Sequence, residues 1–211
     1  MKKFSFLICL LVTVAFAYQQ VDAQSMAPEE ALKKMEWRAI GPANMGGRVS
    51  DIDGVPGDPT TFYISGANGG IHKTTDGGVS FEAIFDDQDA YSIGALTIAP
   101  SDHNVLWVGT GEGDPRNSVG YGKGVYRSVN GGKTWTKLGL ENTDRVKRIV
   151  VHPKNPDVAC VCALGREWGP NEERGVFRTT DGGKSWEKVL YIDEDTGCSD
   201  LAMDMTNPRI M

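Results

Sequence analysis

Carboxylates, guanidinium groups and aromatic rings crowd into two stretches of the chain. Thr110–Lys123 carries Glu112, Asp114, Arg116, Tyr121 and Lys123, and Leu164–Arg174 carries Arg166, Glu167, Trp168, Glu172, Glu173 and Arg174. One chemistry open to such a set is glycoside hydrolysis by inversion, in which an acid and a base carboxyl stand about 6.5–9.5 Å apart across the bond. Glu112 and Glu167 are the candidates for it. The other is binding without reaction, where charged groups hydrogen-bond a carbohydrate or peptide and an aromatic face stacks on it. Glu112, Asp114, Arg116, Tyr121, Arg166, Glu167, Trp168, Glu172 and Arg174 are the expected contacts. The plain alternative is a pair of solvated loops. Trp168, set between Glu167 and Gly169, is the residue that most separates the two, because it can stack on a sugar or close the rim.

These stretches hang on a repeat. Thr74–Phe81 (TTDGGVSF), Ser128–Trp135 (SVNGGKTW) and Thr179–Trp186 (TTDGGKSW) superpose without gaps. They are Asp boxes, spaced by roughly fifty residues, as in a four-stranded propeller blade with one enlarged loop. In each, the Asp or Asn (Asp76, Asn130, Asp181) is expected to cap backbone amides. A glycine (Gly78, Gly132, Gly183) takes positive φ, and the aromatic (Phe81, Trp135, Trp186) packs inward. A short strand precedes each box (Gly70–Lys73, Gly124–Arg127, Gly175–Arg178) and another follows it (Phe81–Phe85, Trp135–Gly139, Trp186–Tyr191). Two more lie upstream around a turn: Arg48–Val55 with Thr61–Gly66, Ser92–Ala99 with Val105–Gly109, and Val146–Val151 with Asp157–Ala163. The two enlarged stretches then join the second strand to the third in blades two and three, on the face opposite the boxes.

The organisation expected is all-β, a propeller cut short after about three blades. Blade one covers 47–86, blade two 91–140 and blade three 145–191, and Ser199–Met205 opens a fourth unit within 198–211. Glu36–Gly41 matches the strand after a box, so 36–42 is expected to be the closing strand of the last blade, sealing the ring and hiding its edges. Residues 24–35 are a linker. Lys2-Lys3 followed by the apolar run Phe4–Ala17 has the form of a secretory signal, too short to span a bilayer, with cleavage expected after Ala23. The protein is therefore expected to be secreted or periplasmic, with no membrane span in the mature chain.

Composition agrees with this outline. Of 211 residues, 40% are hydrophobic and 24% charged, as a packed domain requires, and 26 glycines with 10 prolines favour short strands and tight turns. A formal net charge of -6 argues against nucleic acid as a partner. Beyond Cys9 in the leader, the cysteines are Cys160, Cys162 and Cys198. The first two lie on one strand face roughly 6.6 Å apart, awkward for a disulfide, and all three are expected to be small buried hydrophobes. No cofactor or metal is expected. Gly109-x-Gly111-x-Gly113 lacks the helix a dinucleotide loop needs. Asp51-x-Asp53-Gly54 and Asp193-Glu194-Asp195 are not continued as full calcium loops. His72, His103 and His152 are scattered, and Trp107 falls on an inner strand as core.

The pairing of Gly109–Glu112 with Gly120–Ser128, together with Glu167–Val176, resembles bacterial proteins with a sortilin (VPS10) N-terminal-like propeller, also labelled BNR-repeat glycosyl hydrolases. The resemblance covers nearly the whole mature chain. It implies a longer protein with one or two propellers, binding a polysaccharide or protein ligand through the loop face. The alternative it implies is an extracellular glycoside hydrolase of the xyloglucanase type. In xyloglucanases the base resembles the Asp of a Thr-Asp-x-Gly-Gly stretch after the first blade's second strand. The matching stretch here is Ala67-Asn68-Gly69-Gly70, with Asn68 in the Asp position, and an amide cannot accept water's proton. Whether the protein is an enzyme stays open on the sequence.

Overall fold

The computed structural model describes residues 47–211 except residue 115; the expected leader 1–23, linker 24–35 and closing strand 36–42 lie outside the described residues. Every regular element among the described residues is a strand. The first sheet is β1 (Val49–Gly54), β2 (Phe62–Gly66), β3 (Ile71–Thr74) and β4 (Glu82–Ala83). The second is β5 (Ile93–Ile98), β6 (Leu106–Thr110), β7 (Val125–Ser128) and β8 (Thr136–Lys137). The third is β9 (Val146–Val151), β10 (Ala159–Ala163), β11 (Gly175–Thr179) and β12 (Glu187–Leu190). Each is an antiparallel meander in sequence order, the blade of a β-propeller.

Burial follows the stacking of the blades. All of β6 and nearly all of β5 are buried, because blade two is covered on both faces, whereas β1 and β12 are open. The apolar runs of β5 (IGALTI) and β6 (LWVGT) are what a strand covered on both faces demands. One core cluster, with Tyr63, Ile71, Phe85, Leu96, Leu106 and Tyr126, joins blades one and two. A second, with Trp107, Val125, Val146, Ile149, Val161 and Phe177, joins blades two and three. Each blade thus depends on its neighbour for its core.

The Asp boxes form one construction three times. Thr74 Oγ1 donates to Asp76 Oδ1 (2.8 Å) and accepts from Gly78 N (2.9 Å), while Asp76 Oδ1 accepts from Ser80 N (2.9 Å). The same bonds run through Ser128, Asn130, Gly132 and Thr134, and through Thr179, Asp181, Gly183 and Ser185. The second glycine of each box has φ of 87° to 92°, the left-handed region. It has a packing reason too: a Cβ on Gly132 would stand 2.5 Å from Ile84 Cδ1, and one on Gly183 2.5 Å from Leu138 Cδ1, both on the preceding blade. The box indoles reach the same place. Trp135 Nε1 donates to Ile84 O (2.7 Å) and Trp186 Nε1 to Leu138 O (2.6 Å). Phe81, in the first described blade, has no such neighbour among the described residues; it stacks edge-on against Phe62 at 6.0 Å and stays exposed.

Chemistry distinguishes the boxes. The hydroxyl and amide of Ser80 hold Asp76 down from the ordinary 3.8 to about 2, and those of Ser185 do the same for Asp181. With folded values below unfolded ones, the unfolded chain binds more protons in this window. The stabilisation is complete above about pH 4 and is lost as pH falls toward 2. Asn130 offers the same amide cap and does not titrate. An Asp76→Asn, Asp181→Asn double variant of the full-length protein is therefore expected to show a shallower fall of Tm below pH 4. Tm profiles that stay superimposable after normalisation at neutral pH would contradict this.

The turn after the first strand of each unit recurs a fourth time. Val55 N bonds Thr61 O, Ala99 N bonds Val105 O and His152 N bonds Val158 O; Asp204 N bonds Ile210 O in the same spacing at 3.0 Å. The segment expected as a strand at Ser199–Met205 nevertheless makes no ladder. It lies along β9, in a groove with Arg148 and Val150, and Arg148 Nε meets Asp200 Oδ1 at 3.3 Å. The cysteine expectation needs correcting. Cys162 on β10 is disulfide-bonded to Cys198, with Cα atoms 5.1 Å apart, and only Cys160 of the described cysteines is free. The chain returns beside β10 after blade three, where Cys198 N bonds Ala163 O at 3.0 Å, and this brings together two thiols that are remote in sequence.

Candidate functional site

The box turns back onto the first-to-second-strand turns of their own blades, through Gly77 N to Thr60 O, Gly131 N to Asn104 O and Gly182 N to Asp157 O. The enlarged stretches 111–124 and 164–174 therefore emerge at the opposite ends of the strands, and a rim forms there between blades two and three. Tyr121, Gly122, Lys123, Glu141, Asp144, Arg166, Glu167 and Trp168 line a cleft of about 360 Å³. Trp168 is 75% exposed and Tyr121 57%, large for rings held by an ordered loop.

Each loop is built to hold its ring outward. In blade two, Thr110 Oγ1 ties Gly124 O (2.7 Å) and Lys123 N (2.6 Å), Glu112 N bonds Gly120 O (2.8 Å), and Gly122 N bonds Asp144 O (2.7 Å). These bonds anchor the backbone on both sides of Tyr121, whose ring stays exposed. In blade three, Arg145 and Arg174 reach the loop carbonyls from below. Glu167 is ion-paired with the buried Arg145. Burial raises the pKa of Asp144, an effect opposed by Arg166, whose Nε stands 3.6 Å away, and by Lys123. The cleft thus offers two rings, carboxylates and cations within reach of a hydroxylated ligand.

The other expected contacts lie elsewhere. Glu112, 2% exposed, receives Arg48 Nη2 at 2.6 Å and Arg116 Nε at 3.1 Å. It fastens the blade-two loop to blade one, so it is a brace without a face toward the cleft. Asp114 pairs with Lys147 outside the cleft. Glu172 is exposed and does not line it, and Glu173 accepts from Asn142 N and Nδ2 at 2.9 and 3.3 Å. Both candidate catalytic carboxylates, Glu112 and Glu167, are therefore committed to arginines, which occupy the oxygens that acid or base duty would need. The Ala67–Gly70 stretch carries no carboxylate, and Asn68 is exposed.

Sequence patterns alone do not single out Asp144, Glu141, Arg145 or Arg48. The first three belong to the connection from β8 to β9, which runs on the same face as the enlarged loops, and the cluster Thr143-Asp144-Arg145 was the signal. Asp51 and Asp53 turn their carboxylates to blade two. Their Oδ2 atoms accept from Leu96 N (3.1 Å) and Ile98 N (2.7 Å) across the blade boundary, capping the open edge of β5. Burial raises the pKa of Asp53, and the bonds from the Ile98 and Gly54 amides oppose it.

Comparison with known proteins sharpens the picture. The BNR/Asp-box repeat family matches residues 177–188. The chain is 29% identical over 178 residues to an oligoxyloglucan-reducing end-specific xyloglucanase of Emericella nidulans, covering 81% of this chain and 20% of that protein. It is 28% identical over 151 residues to a xyloglucanase of Acetivibrio thermocellus, covering 64% of the chain and 16% of that protein. Among solved structures, an ancestral GH74 enzyme superposes with a TM-score of 0.52 at 21% identity over 69% of this chain and 19% of that one. The GH74 xyloglucanase of Xanthomonas campestris gives 0.50 at 23% identity over 68% and 21%. The chain thus spans about a fifth of the length of these proteins. The structural matches establish the propeller fold. The sortilin side of the resemblance gains no support from these relatives.

Proposed function

We propose that the protein recognises a xyloglucan-type polysaccharide outside the cytoplasm, with the rim between blades two and three as part of the binding surface. The observation that carries this is the pair of exposed rings, Tyr121 and Trp168, on one cleft among Lys123, Asp144 and Arg166. A sugar's apolar face stacks on such rings while its hydroxyls bond the polar groups. The similar xyloglucanases named above supply the ligand class. The Cys162–Cys198 disulfide supports an oxidising, extracytoplasmic location, where such bonds persist. Among the described residues no helix is long and apolar enough to cross a membrane.

Hydrolysis is the second reading, favoured by the same relatives. Within the described blades the braced states of Glu112 and Glu167 and the carboxylate-free Ala67–Gly70 stretch speak for binding. Titration calorimetry of the full-length protein against xyloglucan oligosaccharides tests the first reading. Trp168→Ala and Tyr121→Ala are each expected to weaken binding about tenfold, equivalent to about 1.4 kcal/mol. Affinity unchanged in both variants would remove the rim from the binding surface. Release of reducing ends by the same preparation tests the second reading, and Glu112→Gln and Glu167→Gln are expected to leave any such activity within about threefold.

A further inference from the structure

The loop 164–174 has no strand of its own, yet it presents Trp168 in a fixed place. What fixes it is a pair of buried arginines from different elements. Arg145, just before β9, donates from Nε to Gly165 O (2.8 Å) and from Nη2 to Arg166 O (3.0 Å), while its Nη1 pairs with Glu167. Arg174, just before β11, donates from Nη1 to Leu164 O (2.6 Å) and from Nη2 to Arg166 O (3.0 Å) and Gly169 O (3.1 Å). The carbonyls of residues 164, 165, 166 and 169 are thus all held by two guanidinium groups, and Arg166 O is held by both. The fit is close: a Cβ on Gly165, whose φ is +85°, would stand 2.5 Å from Arg174 Cγ. The corresponding loop of blade two is closed by the Thr110 hydroxyl and backbone bonds instead.

We propose that Arg145 and Arg174 are positioning residues for ligand recognition, clamping the backbone on both sides of Trp168 so that the indole stands at the cleft before the polysaccharide arrives. This rests on the binding reading given above. The physical reason is preorganisation: a loop already ordered does not lose its freedom on binding, so more of the stacking energy reaches the affinity. A guanidinium is suited to the task because its planar fork reaches several carbonyls at once, which a lysine ammonium cannot match in geometry.

The test uses full-length protein carrying Arg174→Lys, alone and combined with Trp168→Ala. Without ligand, amide hydrogen exchange over residues 164–170 is expected to rise at least tenfold in Arg174→Lys, with the other blades unchanged. With xyloglucan oligosaccharide, Arg174→Lys is expected to weaken binding five- to tenfold when Trp168 is present and to add nothing in the Trp168→Ala background. An equal loss in both backgrounds, or unaltered exchange, overturns the proposal. Absence of binding by the unaltered protein overturns the ligand reading and the recognition role with it, while the exchange comparison still decides separately whether the arginines brace the loop. Arg145→Lys, which keeps a cation opposite Glu167, is the second variant should Arg174→Lys not fold, and the same pattern is expected of it.

Discussion

Replacement of Trp107 by alanine is expected to destabilise the full-length protein by about 4 kcal/mol, within the range for removing a large buried aromatic. Trp107 is 0% exposed at the middle of β6, between blades two and three. Its Nε1 donates to Pro156 O of blade three at 3.1 Å, the Arg127 guanidinium lies 5.0 Å from its ring, and Trp186 meets it edge-on at 6.2 Å. Truncation would open a cavity at the blade boundary and leave the Pro156 carbonyl without its indole donor. Trp107→Phe separates these effects: it keeps most of the packing and drops the N–H, so about 1–2 kcal/mol is expected. Denaturant unfolding of both variants checks the pair of values, and a Trp107→Ala cost below about 1 kcal/mol would mean that the two blades do not share this core.

The second large effect belongs to the disulfide. Cys162 and Cys198 stand 36 positions apart, and closing a loop of that size restricts the unfolded chain by about 4 kcal/mol in the chain-entropy treatment. The double variant Cys162→Ala, Cys198→Ala is expected to lose a stability of that order, and reductant is expected to lower the Tm of the unaltered protein while leaving the variant unmoved. Cys160, two residues before Cys162 and on the same face of β10, nevertheless stays free of the bond. It is buried, and burial pushes its thiol pKa up, which holds it in the unreactive form. Alkylation after denaturation without reductant is expected to label Cys160 and to leave the peptides of Cys162 and Cys198 joined; label on Cys198 in folded, oxidised protein would remove the bond from this account.

The blades were legible in the sequence because their signal is local. A box such as Ser128–Trp135 holds its own hydroxyl, carbonyl oxygen and glycines within eight residues, and the bonds that shape its turn run inside that window. The all-β class followed from the box, its flanking strands and the glycine-rich turns. What the sequence concealed was every contact made between units. The burial of Glu112 depends on Arg48 of blade one, the pairing of Cys162 on the path of residues 192–198, and the order of the Trp168 loop on two arginines set outside its tip. For the same reason the polar and aromatic residues of the two loops part company in three dimensions: Tyr121, Arg166, Glu167 and Trp168 share a cleft that Asp114 and Glu172 do not line. Composition reports that a loop is polar, and only packing reports which of its side chains are occupied.

The backward reach of the box indoles also bears on biosynthesis. Trp135 seeks a carbonyl on the unit made before its own, and so does Trp186. A nascent chain entering a folding compartment from its front end therefore meets each anchoring point already laid down, and no sheet has to wait for a partner still to be translated before it can be latched on that side. Growth of this kind is vectorial, adding one layer at a time to a settled surface. It keeps the transiently uncovered apolar area to about one sheet face, even in a protein built from many such layers.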